Sequence, residues 1–361
     1  MTLSNPASSP PPPPATTLPV RAVEAESSVA QPTPTSTNGL PMIQVRDVTK
    51  QIGDKVLVED LNFDVKQGEI FGFIGPSGSG KTSTIRLLTG VYVPTKGDVR
   101  VMGFSPSHPA RKVQEQFGYM PQMFVLYPNL TVRENLKFVA GLYGMNPFSR
   151  IKRINDMLKF VELWDARNRL ASNVSGGMQR RIELAASLLH NPPLLFVDEP
   201  TAGIDPVLRG KFWEEFRRLR DEGRTIFVTT QYVGESEYCD RVGVIRSGRL
   251  IALDTPLGLR RAALGGDVVD IVSPDLNAAA LMNIMQLEAV KEVRPVSRTE
   301  ARVYVEEAAA AMPVLMESLA ASNCTLTRIE EYRPSFDEVF IELMKRDAAQ
   351  RGEDLSSEPT D

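Results

Sequence analysis

The chain has 361 residues, 42% of them apolar, enough to fill the core of one large domain or two modest ones. Its 41 Lys and Arg against 45 Asp and Glu leave a net charge of −4, which excludes a broad basic field and makes nucleic acid an unexpected partner. No stretch approaches the ~18 consecutive apolar residues of a membrane span, and the first residues lack the basic start and apolar run of a secretion signal, so a cytoplasmic chain is expected.

Residues 1–41 hold ten of the twenty-seven prolines, including the run 10–14, and almost no large apolar side chains. Burial there cannot offset the entropy of ordering, and a disordered, partly polyproline-II tail is expected. From Met42 onward, Ile43, Val45 and Val48 open a half-buried strand pattern, which Leu61, Phe63 and Val65 continue by strict alternation. Residues 70–74 are apolar on both faces, the pattern of a central buried strand. A glycine-rich turn follows, then residues 81–88 at helical period, then strands near 98–101 and 117–120. Residues 127–189 read as largely helical, with apolar residues three and four apart over 135–143 and 151–163, before strand character returns at 194–197, 225–229 and 242–245.

This order predicts an α/β domain over 42–257 with a helical insert at about 123–189. Beyond Leu257 the pattern becomes strand 267–272, helix 278–285, strands 290–296 and 301–305, helix 308–320 and strand 325–329. That β-α-β-β-α-β order predicts a small α+β, ferredoxin-like module over 258–346 with a closing helix at 335–344, and a flexible polar tail over 347–361. Cys239 and Cys324 have no metal or redox spacing and are expected to be reduced packing residues. His108 and His190 lie far apart without neighbouring ligand types, which argues against zinc and against His-based triads.

The chemistry concentrates in three places. Gly75-Pro76-Ser77-Gly78-Ser79-Gly80-Lys81-Thr82 fits GxxxxGK[ST], follows a buried strand and opens a helix that continues with Ser83. Glycines let successive backbone N–H groups turn around phosphate oxygens, the helix N-terminus adds partial positive charge, Lys81 adds a full one, and the Thr82 hydroxyl suits Mg2+. Asp198 and Glu199 follow an apolar strand, where a doubly wound sheet exposes catalytic groups: Asp198 suits Mg2+ through water, and Glu199 the water that attacks a γ-phosphate. Ser175-Gly176-Gly177 precedes an amphipathic helix. Ser175 is an ordinary N-cap, and the two glycines also leave helix-start N–H groups open to a second anion.

In order and approximate spacing, the phosphate loop, Gln122, Ser175-Gly176-Gly177, Asp198-Glu199 and Gly203-Ile204-Asp205 resemble the ABC ATPase family over roughly residues 42–257. The segment Pro334-Ser335-Phe336-Asp337-Glu338-Val339-Phe340 resembles the tail of its drug-, antibiotic- and polysaccharide-export branch. The resemblance implies a P-loop NTPase core with an antiparallel β subdomain and a helical insert, ATP and Mg2+ as ligands, and a head-to-tail pair of ATPase subunits. In such a pair Ser175, Gly176 and Gly177 meet the nucleotide held by the partner's phosphate loop, and Asp205 sits at the seam. It further implies that Gln122 senses Mg2+ and the attacking water, while its loop, with Phe124, Leu126 and Tyr127 nearby, meets an integral membrane permease at the inner face of the cell membrane; packing within the insert is the equal alternative for those three. Relatives acting on ribosomes or DNA usually carry two ATPase domains or a long coiled-coil insert, and neither pattern is present in these 361 residues.

Two residues depart from the family pattern. Gln231 stands where a histidine is usual; it can donate a hydrogen bond to a γ-phosphate oxygen but cannot take a proton, so slower hydrolysis is expected with Glu199 keeping the principal role. Ile52 stands where relatives commonly stack an aromatic ring on adenine, which leaves selectivity between purine bases open.

Overall fold

The computed structural model describes residues 41–107 and 115–352. The proline-rich segment 1–40, His108 and the residues after 352 lie outside the described residues. The first lobe is built from two sheets. Strands β1 (Ile43–Ile52), β2 (Lys55–Val65) and β4 (Lys96–Val101) form an antiparallel three-stranded sheet in the order β2-β1-β4. A six-stranded sheet runs β5-β6-β7-β3-β8-β9, with β3 (Ile70–Ile74), β5 (Phe117–Met120), β6 (Leu194–Asp198), β7 (Thr225–Thr230) and β8 (Arg241–Arg246) parallel and β9 (Arg249–Asp254) antiparallel at the edge.

The strands of the large sheet are covered on both faces, which is why β3, β6 and β7 are buried at every position. Phe71 and Phe73 of β3 face the small sheet, where Phe63, Phe196 and Phe227 join them; ring centroids lie 5.6 Å apart for both Phe63–Phe71 and Phe71–Phe227. Helix α1 (Lys81–Leu88) completes this layer with Ile85, Leu87 and Leu88. Ile70 and Ile74 face the opposite side, where helices α2 (Val132–Leu142), α3 (Pro147–Phe160), α4 (Gly176–Leu188) and α5 (Pro206–Asp221) pack. Gly72 on that side makes room for Cys239: a Cβ there would lie 2.7 Å from its sulfur. Both cysteines are free and buried, and burial pushes the Cys239 thiol up, out of reach of ordinary ionisation.

Helix α2 starts three residues before the predicted 135, because Thr131 and Glu134 form a reciprocal capping box. Asn135 therefore lies inside the helix, fully buried, where its Oδ1 accepts the Tyr127 N–H (2.8 Å) and its Nδ2 donates to the Tyr127 carbonyl (2.9 Å). It braces the segment that follows β5.

The second module is the predicted β-α-β-β-α-β unit: β10 (Asp267–Val272), α7 (Ala278–Met285), β11 (Val290–Pro295), β12 (Glu300–Val305), α8 (Ala308–Ala321) and β13 (Arg328–Tyr332). Its antiparallel sheet runs β11-β12-β10-β13, and α7 and α8 share a core with one face of it. Strand β13 lies three residues later than predicted, since Ile329 pairs with Ile271 and Tyr332 with Val268. Helices α6 (Pro256–Leu264) and α9 (Phe336–Arg351) belong by packing to the first lobe: Leu259, Ala263, Phe336, Val339 and Met344 are buried in its helical core. Helix α9 also continues past the predicted end at 344, because Ala348 is buried and Asp347 pairs with Arg246 (2.8 Å) and Arg351 (2.9 Å).

His190 stacks on Tyr143 (centroids 3.8 Å, 8° between planes) with Nε2 3.2 Å from the Phe117 carbonyl. Burial, aided by Arg153, holds its pKa below the ordinary 6.5. Below that pH the unfolded chain takes up a proton that the folded protein resists, so stability from this group is full above about 6.5 and falls as pH drops. His190→Gln is expected to flatten the fall of melting temperature between pH 6.5 and pH 5 in a thermal-unfolding series.

Candidate active site

The carboxyl ends of β3, β5, β6 and β7 converge on one edge of the large sheet, where ligands bind in open α/β sheets. Gly75 must be glycine because β8 approaches so closely that a Cβ would stand 2.2 Å from the Ile245 carbonyl oxygen. Gly78 (φ 75°) and Gly80 (φ 112°) take left-handed conformations that bend the loop back to α1. Gly80 is the N-cap of α1 and supplies no side-chain cap, so the first N–H groups of the helix are free of one. The loop is anchored by Ser79 N–H to the Pro76 carbonyl (3.2 Å) and by Gly248 N–H to the Ser79 carbonyl (2.9 Å).

Lys81 is 4% exposed; its ammonium donates to the Gly75 (2.8 Å) and Pro76 (2.9 Å) carbonyls and pairs with Glu199 Oε1 at 3.3 Å. Burial lowers its pKa, with Glu199 pulling the other way. Glu199 sits in the left-handed region at φ 47°, held there by its N–H on the Thr229 carbonyl (3.0 Å) and hydroxyl (3.2 Å). Its second carboxylate oxygen accepts from Gln122 Nε2 at 2.8 Å. Asp198, 1% exposed, accepts from the Thr229 hydroxyl (2.5 Å) and the Thr82 hydroxyl (3.4 Å) on Oδ1 alone, and burial raises its pKa. Ser77, Gly78, Gly80, Lys81, Thr82, Ser83, Gln122 and Glu199 line one cleft of about 500 Å3, together with Lys55, Val56, Leu57, Ser247 and Gly248.

Two buried polar atoms here, Asp198 Oδ2 and Ser79 Oγ, have no protein partner. A carboxylate oxygen without a partner beside a threonine hydroxyl is the donor set that a hard divalent cation satisfies, and the glycine turn with its uncapped helix start is one that a phosphate satisfies. The residues present fit Mg2+ with a triphosphate. Among the described residues no group of three or more His, Cys, Asp or Glu is clustered for a metal, so a cation here would depend on hydroxyl and ligand oxygens as well.

The remaining predicted residues lie outside this cleft's lining. Ser175 caps α4, accepting from Met178 N–H at 3.3 Å, and Asp205 caps α5, accepting from Leu208 N–H at 2.9 Å. Gly177 lies against Leu208, whose Cδ2 would be 2.5 Å from an added Cβ, so a larger residue there would have to push that side chain aside. Gln231, just past β7, is exposed, and Ile52 is 49% exposed. After Gln122 the chain alternates: Phe124 and Leu126 pack into the helical core, while Met123 (77%), Val125 (65%) and Tyr127 (50%) are exposed.

Thr229 and Arg180 escaped the sequence reading. A threonine in a strand gives no sign that it orients a carboxylate; Arg180 and Glu183, three apart on the apolar face of α4, were a detectable anomaly.

Fold and site together define a P-loop nucleotide-binding cassette. The family model for the ABC transporter ATP-binding domain matches residues 58–202, and that for the C-terminal domain of DrrA1-3-like ATP-binding proteins matches 257–344. The linearmycin resistance ATP-binding protein LnrL of Bacillus subtilis is 34% identical over 309 residues, covering 84% of this chain and 99% of that protein. The chain belongs to the ABC transporter ATP-binding family. The probable multidrug ABC transporter ATP-binding protein YbhF of Escherichia coli K12 is 38% identical over 234 residues, 65% of this chain, which spans only 40% of YbhF's length. Among solved structures, the dimeric ATP-binding cassette MJ0796 bound to ADP and Pi superposes with a TM-score of 0.55 at 27% identity, covering 59% of this chain and 98% of that one.

Proposed function

We propose that this chain binds and hydrolyses Mg2+-ATP as the motor subunit of an exporter, working as a pair of such subunits on a separate membrane permease. The observation that carries the reading is the single cleft in which Lys81, Thr82, Gln122 and Glu199 meet beside the unpartnered oxygens of Asp198 and Ser79. The kinship with LnrL and YbhF supports the export role, and the dimeric cassette MJ0796 supports the pair. Among the described residues no helix is long and apolar enough to cross a membrane, so the membrane path is assigned to a partner.

The loop N–H groups and Lys81 hold the triphosphate, and a phosphate oxygen replaces Glu199 as the anionic partner of Lys81. Thr82, Asp198 and Gln122 would hold Mg2+, which when bound neutralises phosphate charge. Glu199, freed from Lys81, takes the proton of the water that attacks the γ-phosphorus, and Gln122 keeps that carboxylate oriented. Ser175, Gly176, Gly177 and Asp205 serve the nucleotide of the facing subunit, and exposed Met123, Val125 and Tyr127 meet the permease.

The test is phosphate release from Mg2+-ATP by the purified full chain, followed by affinity capture from detergent-solubilised membranes. Phosphate release abolished by EDTA and co-purification of a multi-span membrane protein are expected; an inert chain with no membrane partner overturns the proposal. With no aromatic among the described residues that line the cleft, GTP is expected to displace a fluorescent ATP analogue within ~10-fold of the ATP concentration needed, the size of one lost ring stack. Strict preference for adenine would contradict this.

A further inference from the structure

Helix α4 buries a charged pair on its packing face. Arg180 is 8% and Glu183 3% exposed, and their side chains pair at 2.9 Å. Burying both charges costs desolvation that apolar residues in the same places would avoid. Burial raises the pKa of Glu183, with Arg180 opposing.

What the pair holds is specific. The Arg180 guanidinium donates to the carbonyls of Pro121 (2.7 Å), Gln122 and Glu199 (3.3 Å), and Glu183 Oε1 accepts the Val125 N–H at 3.1 Å. One planar fork thus ties together the ends of β5 and β6, at the two residues whose side chains meet at 2.8 Å, Gln122 and Glu199. The same helix begins with Ser175, Gly176 and Gly177. A helix moves as a rigid rod, so displacement of its N-terminus carries the guanidinium and its three carbonyls along.

We propose that Arg180, held by Glu183, is a positioning residue that ties the seating of the Ser175-Gly176-Gly177 turn to the alignment of Gln122 and Glu199 in the same subunit. The inference rests on the hydrolytic reading above. When that turn engages the nucleotide of the facing subunit, Arg180 sets the geometry at its own, so one site reports on the other. Arg180 is not among the residues that line the cleft; it acts through the backbone carbonyls of two that are, Gln122 and Glu199.

The test uses the full chain carrying Arg180→Gln, Arg180→Lys or Glu183→Gln. Turnover, Mg2+-ATP affinity, ATP-driven dimer formation and melting temperature are measured for each. Arg180→Gln is expected to bind ATP within about threefold of wild type and still to dimerise, yet to turn over roughly 10-fold or more slowly, the scale of a misplaced catalytic group. Arg180→Lys should recover part of the rate, because an ammonium keeps the charge but spans fewer of the carbonyls. Glu183→Gln, which preserves volume and leaves Arg180 in place, should shift the rate in the same direction by less. A folded Arg180→Gln protein with turnover within twofold of wild type overturns the link. So does a parallel loss of affinity, dimer and melting temperature that lysine fails to restore, since that marks a merely structural residue. An inert wild type would instead refute the hydrolytic reading itself, which keeps the two failures distinguishable.

Discussion

Glu199→Gln is expected to bind Mg2+-ATP at least as tightly as wild type and to hydrolyse it roughly 100-fold or more slowly, the scale of losing a general base. The carboxylate now has two partners, Lys81 at 3.3 Å and Gln122 at 2.8 Å. An amide carries no charge, so the ion pair with Lys81 is lost whichever way it turns, while Gln122, itself an amide, can keep a hydrogen bond to either end. Lys81 thus loses its anionic partner and becomes more available to phosphate. Binding therefore holds or improves while proton acceptance disappears, and the paired, ATP-loaded form should accumulate. Size-exclusion chromatography with and without Mg2+-ATP, beside a phosphate-release assay, checks both halves. A residual rate within tenfold of wild type would move the base elsewhere. Asp198 is a poor substitute, since its Oδ1 is occupied by two hydroxyls and its surroundings disfavour charge.

The parts of this site visible in the sequence are those that chemistry confines to a short stretch. Gly75 to Thr82 is legible because a phosphate loop needs its glycines, lysine and hydroxyl within one turn, and Asp198 with Glu199 because a strand end delivers both together. The same locality made β3 and β6 readable from their continuous apolar runs, and the β-α-β-β-α-β order from its succession of strand-like and helix-like stretches. Contacts closed by distant segments were not. Thr229 orients Asp198 from a neighbouring strand, and Arg180 reaches Pro121 and Gln122 from 59 and 58 residues away. Helix α9 runs beyond its apparent end because Asp347 finds Arg246, 101 residues earlier in the chain. The segment after Gln122 shows the limit in miniature. Its apolar residues looked alike in sequence, yet backbone bracing by Asn135 and Glu183 turns Phe124 and Leu126 inward and leaves Met123, Val125 and Tyr127 outside.

Lys81→Met carries the other large effect: Mg2+-ATP affinity is expected to fall roughly 100-fold, the equivalent of losing one or two charge-assisted hydrogen bonds. Methionine matches the lysine stem, so the apolar packing of α1 survives, while the Gly75 and Pro76 carbonyls lose their donor and Glu199 keeps only Gln122. Basal stability then shifts for reasons unrelated to nucleotide, and a bare melting temperature would mislead. The informative quantity is the rise in melting temperature when Mg2+-ATP is added, because a ligand stabilises the folded state according to its concentration relative to Kd, whatever the starting stability. Wild type should gain several degrees at millimolar nucleotide and Lys81→Met almost none. An equal gain in both proteins would mean that the glycine turn and the N-terminus of α1 grip the triphosphate unaided. Lys81 would then be left with the pairing to Glu199 as its only role, and the exchange of partners that frees the base would have to be driven from elsewhere.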